Sequence, residues 1–437
     1  MKNPVVLWAL VILAAVLSTV NAKSVSGNRV LVLLDSIANK DTYSHLWQSL
    51  QDREYKITFA TEEEQDASAL QRYGEFLYDH VIHFAPESKE LSKHKAFGNV
   101  ELVKFVRNGG NLLVATGENP SNGVRELAGE FDIEFDAAGT RVYNGDETTI
   151  YTSQAPMQSL ESPVLYSGIA LYTGKSPLLN RLLLSEPGVI SADKPENDQS
   201  SEPVELVAAM QTRNSARATF AGSLALFSDD LVDASFEEKR PNGSATRKRT
   251  SSNAAFVEDL TKWTFQEKGV LKILSHRHHK VNETEQPKHY RIKDDMVYIL
   301  EVSEYKDDKW VPFEADDIQL EIIMLDPYIR TTLKQVPVSP EHHYGRFTAH
   351  VKLPDVYGVF TFKVNYKRAG LTYLLAEDVV AIRPFRHNEY PRYLSAAYPY
   401  YASVGSMIVG FLVFSAVWLS TWGSRNQQAK QQKQKAQ

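Results

Sequence analysis

The spacing of apolar positions changes character along this chain, and each change predicts a different kind of element. Val30 to Leu34 is a short continuous apolar run, the pattern of a strand covered on both faces of a parallel sheet. Tyr43, Leu46, Trp47 and Leu50 then recur at i, i+3, i+4 and i+7, which predicts a one-sided helix with Asp41 or Thr42 as its cap. A strand near Tyr55 to Ala60, a helix around Ala67 to Tyr78 and a strand from His80 to Phe84 continue the alternation. Asn99 is placed to cap a helix carrying Leu102, Val103, Phe105 and Val106. Gly109-Gly110 stops it, and Leu112 to Ala115 follows as a strand. Strand–helix–strand order predicts an α/β fold with an open, mostly parallel sheet and helices on both faces.

A second α/β stretch runs from about Ser162 to Val270, with Leu178 to Leu184 and Ala218 to Ser223 as strands and a helix near Phe256 to Phe265. Asp193 to Pro203 and Phe236 to Asn253 have loop composition. From Tyr290 to Pro384 the period becomes two, through Val297-Ile299-Glu301, Ile318-Leu320-Ile322 and Val359-Thr361-Lys363. Such strands, bounded by turn signals such as Leu353-Pro354-Asp355, predict a β-sandwich.

Both ends carry apolar segments of different meaning. Lys2 precedes an apolar run from Val5 to Leu17, and Val20-Asn21-Ala22 has the small residues of a signal-peptidase site, so a secretory signal cleaved after Ala22 is expected. Ala402 to Trp422 is free of charge, as a spanning helix of roughly 20 residues requires. Tyr398, Tyr400 and Tyr401 stand at its entrance, and Trp418 and Trp422 near its exit. Arg425, Lys430, Lys433 and Lys435 follow without any acidic residue, which predicts a cytoplasmic tail and type I topology. Lys433 and Lys435 hold the spacing of a dilysine signal for retrieval to the endoplasmic reticulum, so the endoplasmic reticulum membrane is the expected location. Asn242-Gly243-Ser244 and Asn282-Glu283-Thr284 make Asn242 and Asn282 candidate glycan acceptors. The expected organisation is a signal peptide (1–22), α/β domains (23–160 and 161–289), a β-sandwich (290–390), a transmembrane helix (400–422) and a tail (423–437).

The chain contains no cysteine, which removes thiol nucleophiles, thiolate metal sites and disulfide staples from consideration. A net charge of −6 gives no reason to expect a nucleic-acid partner. His276-Arg277-His278-His279 lacks the helical spacing of a metal site and is expected to be a solvated loop, as is His342-His343. Asp35-Ser36 and Thr116-Gly117-Glu118 fall beyond strand carboxyl ends, where α/β sheets bind ligands, but turn and cap roles explain them equally well. No catalytic set emerges, and no metal or cofactor is expected. Within the apolar helix, Gly405, Ser406 and Gly410 provide small-residue packing positions for a membrane partner.

Several segments then resemble a known family. Trp310-Val311-Pro312-Phe313, Asp316-Asp317-Ile318-Gln319-Leu320-Glu321, Asp326-Pro327-Tyr328-Ile329-Arg330-Thr331, Lys352 to Phe360 and Ser395 to Ser403 are similar to the 48-kDa (Wbp-type) subunit family of the oligosaccharyltransferase complex. Arg29 to Ser36 and Gly98 to Gly117 also match, whereas 140–253 departs more. The resemblance implies N-glycosylation, the transfer of a preassembled oligosaccharide from dolichyl diphosphate to asparagine in Asn-x-Ser/Thr. It implies a non-catalytic, assembling role beside a multispanning catalytic subunit, with ribophorin-type and small membrane subunits as further partners. It also implies a glutamine-amidotransferase-like N-terminal fold, whose cysteine nucleophile this chain lacks. Two other readings stay open: a lumenal enzyme using Asp35 or Glu118, and an escort receptor recycling through Lys433 and Lys435.

Overall fold

The computed structural model describes residues 24–436 apart from 63–69, 145–147, 157–159, 161, 192–202, 240–245, 307, 338–341 and 391. Ala22 and Asn242, the expected cleavage and glycan positions, lie outside the described residues. The chain forms two compact units, one of residues 1–287, 295–352 and 360–380 and the other of residues 288–294, 353–359 and 381–437.

The first unit contains a nine-stranded mixed sheet. Its strands are β1 (Arg29–Leu34), β2 (Lys56–Ala60), β3 (His80–Phe84), β4 (Asn111–Ala115), β5 (Ile133–Phe135), β6 (Leu171–Thr173), β7 (Leu179–Leu184), β8 (Glu205–Gln211) and β9 (Arg217–Ala221). The order is β2-β1-β3-β4-β9-β8-β6-β5, with β7 also on β8. Pairings from β2 through β9 are parallel, and those beyond β9 are antiparallel. The sheet is therefore mixed, and it unites strands from both sides of residue 160, because β4 pairs with β9 at Leu112↔Ala218.

Alternate residues of β1 enter different cores, which is why its sequence is continuously apolar. Val30, Val32 and Leu34 pack on one face with helices α1 (Ser44–Asp52) and α4 (Asn253–Thr264). Leu31 and Leu33 pack on the other with α2 (Asn99–Arg107) and α3 (Asn122–Gly129). Each fully buried side chain of this size contributes about 1.5–3 kcal/mol.

Local details differ from the sequence expectation. The N–H groups opening α1 are satisfied by a distant carboxylate: Ser44 and His45 donate to Asp229 at 2.9 and 3.0 Å, in place of a cap from Asp41 or Thr42. Asn99 is the first residue of α2 and reaches the Gly123 carbonyl, so it does not cap its own helix. Gly109, at φ +106°, does end α2. In place of a helix to Tyr78, Gln71–Arg72 and Glu75–Phe76 pair as a short ribbon. Tyr73 and Gly74 at its corner both have positive φ, which an α-helix excludes.

The same unit holds two further sheets. One has β10 (Val270–Lys280), β12 (Asp295–Lys306), β13 (Lys309–Pro312), β16 (Lys334–Val336) and β17 (Gly345–Lys352), in the order β10-β12-β17-β16 with β13 on β12. The other has β14 (Gln319–Met324), β15 (Asp326–Thr332), β18 (Gly358–Tyr366) and β19 (Leu374–Arg383), in the order β19-β18-β14-β15. Alternation matches burial along β18, where Phe360, Phe362 and Val364 are buried and the residues between them face outward.

At the start of β10, Gly269 has φ +68°, and a Cβ there would stand 2.3 Å from the Gly370 carbonyl oxygen. Gly269→Ala is therefore expected to destabilise the chain by about 2 kcal/mol through left-handed strain and the clash. Thermal denaturation reads this directly, with Gly109→Ala as a comparison that carries positive φ but meets nothing within 4 Å.

In the second unit, β11 (His289–Arg291) pairs in parallel with the end of β19, from Ala381 to Arg383. Arg383 grips Glu389 through two hydrogen bonds of 2.7 and 2.8 Å, which holds the Glu389 carboxyl down at about 2. Helix α5 (Tyr398–Lys435) completes the unit.

Candidate functional site

The carboxyl edge of the parallel strands is where an α/β ligand site is expected, and Asp35 lies there after β1. Its Oδ1 accepts the Ser88 N–H at 3.0 Å, while the Ser88 hydroxyl donates to Glu62 at 2.5 Å. Burial pushes the Asp35 carboxyl up to about 6, against the backbone hydrogen bonds it accepts and with help from the nearby charges of Glu87 and Glu62. Thr116, buried after β4, donates to the Gly117 carbonyl at 3.2 Å, and Glu118 pairs with Arg141. Asp35 and Glu118 are each engaged by different partners and make no contact with one another. An open cavity of about 710 Å³ lies along this edge, lined by Glu87, Lys89, Lys93, Asn119 and Asn122 among others. Its mixed charge suits a polar ligand, but no described nucleophile and base meet there. Among the described residues, no group of three or more His, Asp or Glu is arranged to hold a metal ion.

The histidine string belongs to β10 and is not a solvated loop. His278 is buried at 2.9 Å from the Gln286 amide, and burial lowers its pKa below the usual imidazole value. His276 contacts Asp378 at 2.9 Å. The strand period places these two residues on one face and His279 on the other, so strand pairing accounts for the string. Asn282 is exposed at φ +72°, in the turn that follows β10.

Helix α5 is long enough to cross a membrane, about 57 Å at 1.5 Å per residue. Its charge-free stretch, Ala402 to Trp422, is apolar and almost wholly exposed. Ser406 and Gly410 lie one turn apart, and space is open at Gly405 and Gly410. Ser406 donates to the Ser403 carbonyl at 2.8 Å, which satisfies its hydroxyl within the helix. Phe414, Trp418 and Trp422 form a neighbouring aromatic row, with ring centroids 6.1 and 5.9 Å apart. Lys433 and Lys435 are exposed at the helix end.

Family models decide what edge geometry leaves undecided. Residues 21–267 match the OST48 N-terminal domain, and residues 278–422 match the OST48 middle domain. The chain belongs to the OST48 family. A Drosophila melanogaster protein named dolichyl-diphosphooligosaccharide–protein glycosyltransferase 48 kDa subunit is 37% identical over 442 residues, covering 93% of this chain and 95% of that protein. Proteins of the same name from Caenorhabditis elegans and Arabidopsis thaliana are 36% and 35% identical, covering 90% of this chain and 91% and 92% of theirs. The solved carbohydrate deacetylase Agd3 shares 9% identity over 46% of this OST48 chain and 30% of its own, and its TM-score of 0.31 supports no inference.

Sequence reasoning missed the residues that knit the OST48 N-terminal domain together. Arg217 is fully buried, and its guanidinium donates to the carbonyls of Trp263, Lys268 and Gly269. Asn111, also fully buried, links Ser26, His80, Gln266 and the backbone of Arg217. A polar residue immediately ahead of an expected strand was the available signal for both.

Proposed function

We propose that this OST48-family chain is a non-catalytic, assembling subunit of the oligosaccharyltransferase complex, which transfers oligosaccharide from dolichyl diphosphate to asparagine of nascent proteins. The carrying observation is 35–37% identity, over about nine-tenths of the chain, to proteins named as the 48 kDa subunit of that glycosyltransferase. Catalysis is assigned to a separate multispanning subunit, with ribophorin-type and small membrane subunits as the other partners. Among the described residues one helix is long and apolar enough to span, which supports this division, since one helix offers no enclosed path for a polyprenyl donor.

On this reading the signal is cleaved after Ala22, the bulk of the chain is lumenal in the endoplasmic reticulum, and α5 spans once with a cytoplasmic tail. Gly405, Ser406 and Gly410 pack against a membrane partner, Lys433 and Lys435 serve retrieval, and Asn242 and Asn282 accept glycans. The parallel half of the nine-stranded sheet is read as amidotransferase-like, and residues 290–390 as a β-sandwich.

Depletion is expected to leave many secretory glycoproteins underglycosylated, and mild-detergent extraction to yield one large assembly on a blue-native gel. A lone chain on that gel, with glycosylation intact after depletion, would end the proposal. The raised carboxyl of Asp35 beside the edge cavity favours a second reading, an acid–base site. Asp35→Asn with Glu118→Gln decides it, and retained glycosylation is the expected result.

A further inference from the structure

The hairpin of β14 and β15 is built against its own stability. Its strands run antiparallel from Gln319↔Thr332 to Met324↔Asp326, so Leu325 alone turns the corner. Its φ is +65°, in the left-handed region where glycine sits without strain and a branched apolar side chain does not. The side chain is also 98% exposed, the highest value of any large apolar residue among the described residues. Glycine or asparagine at this corner would relieve the backbone, and either would remove a leucine from water. Among the described residues, nothing buries the Leu325 side chain.

The surroundings have the layout of a contact centre. Tyr328, on the returning strand, is 47% exposed and braced edge-on against the buried Phe360 ring at 5.7 Å. Behind the tip, Arg330 and Glu321 neutralise each other at 2.6 Å. Asp326, directly beside Leu325, makes no ion pair among the described residues. An apolar projection with an acid at its side that is unpaired among the described residues, backed by paired charge, matches the apolar centre and polar rim of protein interfaces.

We propose that Leu325 is a docking knob. Its side chain, with Tyr328 beside it, seats in an apolar socket on another subunit of the glycosyltransferase complex, and a lysine or arginine on the rim of that socket faces Asp326. This rests on the reading of the chain as a subunit. A protein socket fits better than a lipid surface, because anionic headgroups repel Asp326 and the tip carries no unpaired basic residue.

The absence of cysteine makes the test direct, since Leu325→Cys carries the only thiol in the chain. A maleimide probe is expected to label this variant at least tenfold more slowly in the assembled complex than in the full chain purified alone in detergent. Val100→Cys, at a position 66% exposed on α2, serves as the reference and labels equally in both states. Leu325→Gly is expected to raise the melting temperature of the isolated full chain while lowering its recovery with the other subunits at least fivefold. A general folding defect would move both readouts down together. Equal labelling of Leu325→Cys in both states, or normal assembly of Leu325→Gly, overturns the knob. Protection that grows with the concentration of the isolated chain would show a second copy as the occupant, and overturns it too. A wild-type chain that runs alone in mild detergent instead removes the subunit reading beneath it.

Discussion

Arg217→Met is expected to destabilise the chain by about 3–4 kcal/mol, because it strands three carbonyls, two of them in buried contacts, and removes the group that ties them together. Arg217 opens β9 with no accessible surface, and its charge is met by carbonyl dipoles in place of a carboxylate. One terminal guanidinium nitrogen serves the carbonyls of Trp263 and Lys268, the other terminal nitrogen serves Gly269 at 2.8 Å, and Nε has no partner among the described residues. The Trp263 ring lies 4.5 Å from the guanidinium carbon. Trp263 belongs to the last turn of α4, so the cation also opposes the negative end of that helix. Further bonds depend on this arrangement. The Trp263 indole donates to Gly370, Gln211 donates to Leu371, and the Thr372 hydroxyl accepts from the Leu271 N–H, at 2.9, 2.6 and 2.7 Å. Arg217→Lys, which replaces a planar fork with one ammonium, should recover part of the loss. Guanidinium chloride unfolding followed by tryptophan fluorescence measures all three proteins. Wild-type stability in Arg217→Met would mean the carbonyls find water without cost.

The elements that obey a local rule were legible in the sequence, and those that depend on a distant partner were not. The run Val30 to Leu34 announces a strand buried on both faces because each face has its own core. Period two from Tyr290 onward anticipates β14 and β18, since one face of each is buried, whereas β12 is buried on both faces along most of its length. By contrast, the pairing of β4 with β9 joins residues over a hundred positions apart, and no local pattern encodes it. Asp229 caps α1 from still farther away, so Asp41 and Thr42 looked sufficient. His276 to His279 read as a loop because polar residues dominate β10, yet Gln286 makes burial of His278 affordable in that strand. At the sheet edge, Asp35 was placed correctly by strand order alone, while its raised carboxyl required knowledge of its burial and of the nearby charges of Glu87 and Glu62. At Leu325, only φ and exposure reveal the strain.

Acid should weaken the first unit well above the pH at which its carboxylates protonate. His80 and His83 are both buried in β3, and burial pulls each imidazole from 6.5 down to about 4. The geometry of His80 explains its resistance to a second proton. Its Nε2 lies 3.0 Å from the Gly27 carbonyl and donates to it, while Nδ1 accepts from the Asn111 amide at 3.2 Å. Asn111 cannot turn around, because its oxygen already accepts from the Arg217 N–H and from Gln266, both at 3.0 Å. Protonated Nδ1 would therefore face another donor. For His83, Nδ1 has no hydrogen-bond partner among the described residues. Both folded values lie below the unfolded one, so stability is unaffected above about pH 6.5. As pH falls from there to about 4, the unfolded chain takes up two protons that the folded chain refuses. Each costs about 1.4 kcal/mol per pH unit. Asp35 works in the opposite sense, because its folded carboxyl near 6 binds a proton before the unfolded one does, but its partial exposure discounts the gain. The net loss between pH 7 and pH 5 is expected to be about 3 kcal/mol. His83→Leu should remove roughly half of the slope, because it deletes one refused proton and fills the same space with an apolar group. Denaturation midpoints of the wild type and the variant, taken at half-unit steps from pH 7.5 to 4.5, measure the slope. An equally steep acid limb in the variant would place the lost protons on other groups.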